Sequence, residues 1–284
     1  MHWFATDNTE GYNPFGTFAR STDGMKLYGT GVGGGAGNNG TLFMLDLATA
    51  TPTFSVLYSF AGGLMGGYPH GVILVNSGTL YGITTSGGVG GGTVFSLDPS
   101  TLEFRHLHSF LDAEGLDPYG LLVQASNGKL YGTTPNNGTL GLGSVYSIDP
   151  ANNDAFAVVH PFITTSNPAD LHPAGGTSRG PLTQGSDGQL YGMTTVFGAN
   201  NMGAVFALDP VTHVMTVVHA FTGAPTDGDN RPSEGMSTNL VQSTDGNLYG
   251  VTELGGASTT YVPQGAGVVF KLTGPLTVEV DPVV

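Results

Sequence analysis

The sequence predicts an all-β fold: a five-bladed β-propeller of four antiparallel strands per blade, closed by the N-terminal strand, as a single domain over residues 1–284. Three observations predict it. Leu-Tyr-Gly recurs at Leu27, Leu80, Leu130, Leu190 and Leu248, spaced 53, 50, 60 and 58 residues apart, so one unit is repeated five times. Each copy reads as four short strands separated by turn residues, which is the length and content of a propeller blade. The fifth copy ends after three strands, and the start of the chain reads like the missing fourth.

The elements follow in order within each copy. A proline-containing turn leads to a Gly and a short apolar run, as in Gly120-Leu121-Leu122-Val123. A Ser/Asp/Asn-Gly turn such as Ser186-Asp187-Gly188 comes next, then Leu-Tyr-Gly-x-Thr and a Gly-rich loop. The third strand is β-branched and aromatic (Thr93-Val94-Phe95-Ser96-Leu97) and is closed by Asp-Pro at Asp98, Asp149 and Asp209. The fourth ends in His-x-Phe at His108, His160 and His219, with Tyr58 in the same place earlier. No segment sustains a 3.6-residue apolar period, so no helix is expected. His2-Trp3-Phe4 aligns with His-x-Phe, so residues 2–5 are expected to supply the outer strand beside Val268–Leu272; Thr277–Val280 could form that strand instead, or add beside it. Closure would leave no open sheet edge.

Composition narrows the function classes. The net charge of −14 argues against nucleic acid and anionic membrane surfaces, which require a basic patch. No cysteine is present, which removes disulfides, thiolate metal sites and a cysteine nucleophile. Apolar runs such as Val72-Ile73-Leu74-Val75 are too short to span a bilayer, and the first seven residues have no basic region followed by an apolar core. A lysine-poor chain rich in Gly, Thr, Ser and Asn leans towards an extracellular protein, and a monomer is expected.

The residues Leu-Tyr-Gly-x-Thr, Gly-x-Val-Phe and the final His/Tyr-x-Phe resemble the Gloeobacter/Verrucomicrobia (GloVer) tandem repeats of large bacterial surface proteins. The resemblance covers nearly the whole chain and implies a fold, not a chemistry. The overall pattern is also similar to small propeller proteins that act as hetero-Diels–Alderases in fungal tropolone–sesquiterpenoid pathways. None of their functional motifs is matched, so no residue role is carried over.

Positions shared by all copies are explained by the scaffold. Tyr28, Tyr81, Tyr131, Tyr191 and Tyr249 are expected to pack between blades with the hydroxyl paired, and the Asp-Pro aspartates to hold turns. His108, His160 and His219 fall on different blades, too far apart to share an ion. Positions that differ at one repeated location are the candidates for function. The residue before the Gly that opens each first strand is Phe15, His70, Tyr119, Arg179 and Glu234 in turn. These five are expected to ring one mouth of the central channel, His70 and Arg179 lying in connections rather than in the repeated core. Glu253, Phe197, Tyr261 and His172 are expected on the same face. The alternative is that channel mouths simply tolerate polar residues. The connection Asp227-Gly228-Asp229-Asn230-Arg231-Pro232-Ser233-Glu234 faintly resembles a calcium loop without the remaining ligand spacing, and reads better as a turn with solvated charges. No metal and no cofactor are expected.

Two function classes survive. In the first, a small-molecule enzyme works at the channel mouth. His70, Tyr119, Arg179, Glu234 and Glu253 would be catalytic; Phe15, Phe197, Tyr261 and His172 would bind substrate. Glu234 and Glu253 could form an acid/base pair, as in a glycosidase or lyase. Alternatively, His70, Tyr119 and Arg179 could polarise a carbonyl or enone in a cyclase, possible without cofactor because a pericyclic step needs orientation more than proton transfer. The second class is a carbohydrate-binding lectin with one site per blade. An adhesive or structural module is a third option. The partner is accordingly a small organic molecule or a carbohydrate.

Overall fold

The computed structural model describes residue 4 and residues 8–139, 141–162, 178, 180–195, 202–223, 227–229, 239–256 and 267–273, with the backbone of 277–279. The chain divides into two compact units. One comprises Met1–Asp112 with Leu116–Leu122; the other comprises Ala113–Gly115 with Val123–Val284.

The first unit holds two four-stranded sheets. Sheet one is β1 (Tyr12–Arg20), β2 (Lys26–Gly33), β3 (Thr41–Asp46) and β4 (Thr53–Ser59). Sheet two is β5 (Gly67–Leu74), β6 (Leu80–Ser86), β7 (Thr93–Leu97) and β8 (Phe104–Ser109). The second unit holds three more. Sheet three is β9 (Val123–Gln124), β10 (Leu130–Thr134), β11 (Ser144–Asp149) and β12 (Ala155–Pro161). Sheet four is β13 (Thr183–Gln184), β14 (Leu190–Thr194), β15 (Ala204–Leu208) and β16 (Met215–Ala220). After β17 (Gly228–Asp229) comes sheet five, made of β18 (Val241–Gln242), β19 (Leu248–Thr252), β21 (Val268–Thr273) and β22 (Thr277–Glu279). β20 (Leu254–Gly255) pairs with β17 as a sixth, two-stranded sheet. Every pairing between strands is antiparallel, in chain order within each four-stranded sheet. Among the described residues the only helical turns are two single 3-10 turns, and no helix is long and apolar enough to cross a membrane.

The repeat pattern has a steric cause. The Gly of each Leu-Tyr-Gly faces an aromatic ring on the third strand: Gly29 opposite Phe43, Gly82 opposite Phe95, Gly132 opposite Tyr146, Gly192 opposite Phe206 and Gly250 opposite Phe270. A Cβ on Gly192 would lie 2.4 Å from Phe206 Cζ and 2.7 Å from Leu182 Cδ2, and one on Gly250 would meet Phe270 Cζ at 2.4 Å. Only glycine admits the ring. Gly192→Ala is therefore expected to lower stability by about 1–3 kcal/mol through overpacking, read as a shifted midpoint in urea unfolding. The tyrosine beside this glycine bridges sheets. Tyr131 packs in one cluster with Leu182, Leu190 and Phe206 of sheet four, and its hydroxyl donates to the Pro210 carbonyl at 3.1 Å. Tyr191 and Tyr249 donate to Asp187 and Asp245 of their own turns at 2.6 and 2.8 Å.

Glutamines add a second link between sheets. Gln184 accepts from the Ser126 amide and donates to Ser126 Oγ; Gln242 does the same to Ser186. The Asp-Pro aspartates hold turns, with Asp98 Oδ1 accepting from Ser100 N at 2.8 Å and Asp209 Oδ1 from Val211 N at 2.8 Å. Tyr58, His108 and His219 each set the ring at right angles to the phenylalanine two residues on, at 5.0, 5.5 and 5.0 Å.

Closure by residues 2–5 is corrected at sheet five. The strand beside β21 is β22, with Lys271 opposite Glu279, Leu272 opposite Val278 and Thr273 opposite Thr277. A local hairpin has far less loop entropy to lose than a partner hundreds of residues away, and Gly274-Pro275 between the two strands are turn formers. Residues 2, 3 and 5 lie outside the described residues. Phe4 is described: it meets Phe43 and Phe54 edge-on, both at 5.6 Å. That is the contact that the closing phenylalanines make elsewhere, Phe60 on Phe95 at 5.1 Å, Phe162 on Phe206 at 5.7 Å and Phe221 on Phe270 at 5.4 Å. The alignment of the N-terminus with His-x-Phe thus holds for packing, while the paired strand comes from the C-terminus.

Candidate functional site

Three of the five residues at the variable position come together. Phe15 lies in β1, His70 in β5, and Tyr119 in the connection that follows sheet two. The Phe15 and His70 rings are 4.5 Å apart with 37° between their planes. Tyr119 meets His70 edge-on at 4.4 Å and Phe15 edge-on at 5.8 Å. His70 is 6 % exposed, whereas Phe15 is 39 % exposed and forms the outer wall.

The backbone explains the meeting. Both first strands carry an irregularity here, between Phe15 and Ala19 in β1 and between Pro69 and Val72 in β5. Such bulges re-aim side chains. Gly71 has φ +94°, and a Cβ there would lie 2.3 Å from Leu121 Cδ2. The bare backbone lets the Leu121 side chain sit on it. Thr30 ties the two strands: its Oγ1 accepts from the Gly71 amide at 2.9 Å and donates to the Phe15 carbonyl at 3.3 Å. Leu121 and Thr30 were not singled out from the sequence. The signal for Thr30 was there, a hydroxyl where the second repeat has Ile83.

Burial pushes the His70 imidazole down to about 4, partly opposed by its hydrogen bond to the Tyr119 backbone. The ring is neutral at pH 7. Its Nδ1 is buried with no hydrogen-bond partner. The expectation that His70 sits in a connection is corrected: it is a buried residue of β5, because the first strand of sheet two begins at Gly67, before the repeated Gly.

Glu253 is half-buried just after β19, in the second unit. His172, Arg179, Phe197, Glu234 and Tyr261 lie outside the described residues.

The reading of Asp227 as part of a solvated turn is corrected. Asp227 and Asp229 are 8 % and 2 % exposed. Asp227 Oδ1 accepts from His219 Nε2 at 2.9 Å and Gly228 N at 2.8 Å, and Oδ2 from Thr222 N and Oγ1, both at 2.9 Å. Burial raises this carboxyl, but the hydrogen bonds from His219, Gly228 and Thr222 outweigh it and hold it below the usual carboxylate range. The short β17–β20 pairing lies where Asp227 and Asp229 are buried. The cluster is a structural clasp whose acceptors are engaged. Asp227→Ala is expected to cost about 2–4 kcal/mol, since it strands buried donors; thermal unfolding checks it. Among the described residues no group of three or more His, Asp or Glu could hold a metal ion. Chelation by EDTA is expected to leave the melting temperature unchanged.

These features define a β-propeller-like repeat protein of four-stranded antiparallel sheets. The model of the Gloeobacter/Verrucomicrobia repeat matches residues 1–172, and the chain belongs to that family. The search of curated proteins found no match. Solved structures are similar in fold. An extracellular domain assigned to a hybrid two-component system of B. thetaiotaomicron aligns with TM-score 0.55 at 16 % identity, covering 93 % of this chain and 27 % of that one. A second, from a one-component system of the same organism, aligns with TM-score 0.55 at 12 % identity, covering 98 % and 28 %. TolB from Acinetobacter baumannii aligns with TM-score 0.52 at 15 % identity, covering 92 % and 52 %. The chain thus spans about half the length of TolB and little more than a quarter of the other two. The likeness to hetero-Diels–Alderases finds no support in these comparisons.

Proposed function

We propose that Phe15, His70 and Tyr119 form part of a single small-molecule site, and that the protein is a cofactor-independent enzyme acting on an unsaturated organic molecule, of the cyclase type. One observation carries this reading: three unlike residues at one repeated position meet ring to ring, around a buried imidazole that has no counterpart at that position in the other repeats. Aromatic walls orient an apolar substrate, and orientation is most of what a pericyclic step requires. Arg179, Glu234 and Glu253 remain the candidates for polarising groups. Loss of one preorganised donor costs roughly 2.7–4 kcal/mol of transition-state stabilisation, so Arg179→Ala should lower turnover at least a hundredfold. The test is affinity mass spectrometry of metabolite extracts, comparing the native protein with Phe15→Ala. A compound retained by the first and lost from the second supports the site. Sugars bound at four or five equal sites that survive Phe15→Ala would support the lectin reading instead.

We also infer that the five four-stranded sheets are blades of one ring. Five copies of one blade-length unit, each folded as a four-stranded antiparallel sheet, support this reading. An extracellular location and a monomeric state fit the lysine-poor, acidic composition.

A further inference from the structure

We propose that the site takes a hydroxyl-bearing planar ligand, a phenol or enol, whose hydroxyl group pairs with Nδ1 of His70. This rests on the reading of Phe15, His70 and Tyr119 as a small-molecule site and assigns its ligand class. Nδ1 of the buried ring has no partner. A neutral imidazole carries one N–H and one lone pair, and a hydroxyl group both donates and accepts, so a hydroxyl satisfies Nδ1 in either tautomer. An unpaired buried polar atom is costly, and pairing relieves that cost.

Paired in this way, the ring holds the hydroxyl group of the ligand against the aromatic walls. The walls define the rest of the ligand. Phe15 and Tyr119 lie at 4.5 and 4.4 Å from the imidazole at different inclinations, so a flat ring replacing part of that contact keeps edge and face interactions. Phe15, the exposed member, is the wall that must turn aside to admit it. A ligand with a hydroxyl group relieves the unpaired atom; its methyl ether, which cannot donate and carries a methyl group where the contact is made, does not, and discrimination between such a pair is large when a buried polar group would be left unpaired.

The test compares p-cresol with its methyl ether, 4-methylanisole, by calorimetric titration of the full chain. The native protein should bind p-cresol at one site at least tenfold more tightly than the ether. His70→Phe, which keeps an aromatic ring but removes the ring nitrogens, should bind both alike, and its folding is checked by circular dichroism. A second variant, His70→Gln, offers a side-chain amide that can donate or accept and should restore part of the preference. Equal affinity of the native protein for both compounds would overturn the pairing with Nδ1 while leaving the aromatic site standing. Binding of neither would overturn the site itself, and the ligand class with it.

Discussion

Phe206→Ala should lower the stability of the second unit by about 3–5 kcal/mol, the range for truncating a fully buried aromatic residue. Phe206 is 1 % exposed and lies over Gly192, with Phe162 edge-on at 5.7 Å. It shares one cluster with Tyr131, Val145 and Phe162 of sheet three and with Leu182 and Leu190 of its own sheet. Glycine opposite the ring means that no neighbouring Cβ can move in to fill the space. The cavity therefore persists, and the cost falls at the upper end of the range. Phe206→Leu should recover more than half of the loss. Urea unfolding of the two variants measures both; a loss below about 1.5 kcal/mol for Phe206→Ala would mean that the glycine–aromatic ladder is not the core of the blade.

Stability should also fall by about 2–3 kcal/mol as pH drops from 6.5 to 4, and His70→Phe should remove most of that fall. The folded ring titrates at about 4, against 6.5 when exposed. A proton therefore binds the unfolded chain first. Stability is full above pH 6.5, declines through the interval, and levels off for this group below 4. At about 1.4 kcal/mol per pKa unit, the shift sets the size of the effect. His106, held down by its burial and then by the nearby His108, adds in the same direction. Asp227 acts in a different window. Its folded carboxyl titrates below its unfolded value of 3.8, so its contribution is present above that pH and is lost as pH falls through the folded value. Denaturation midpoints of the native protein and His70→Phe, measured from pH 7 to 4, separate the two groups. Parallel curves would show that His70 carries no such burden.

The blade was legible because its rules are local. Leu-Tyr-Gly announced a strand, and the aromatic residue across from its glycine is the reason it recurs. Asp-Pro announced turns that Asp98 and Asp209 do hold. What the sequence obscured depends on contacts between distant segments. Nothing in Asp227-Gly228-Asp229 signals that β20 will pair with it and bury both carboxylates. Gly274-Pro275 favoured Thr277–Glu279 as the neighbour of β21, while the likeness of His2-Trp3-Phe4 to His-x-Phe pointed to the other end of the chain; Phe4 kept the packing position and β22 took the hydrogen bonds. The site was legible in part for the same reason that the fold was. Comparing copies marked Phe15, His70 and Tyr119 as unlike residues at one location, and the structure brings these three into contact. The burial of His70 was not legible, because the irregular register between Pro69 and Val72 and the Leu121 side chain against Gly71 are contacts that no comparison of copies reveals.

The most direct test follows the eight histidines by 15N NMR while p-cresol is added at pH 7. A single ligand site at Phe15, His70 and Tyr119 predicts that the His70 ring resonances move and saturate at one equivalent, with the other seven unchanged. An unmoved His70 with ligand bound elsewhere, or several histidines shifting together, would contradict it.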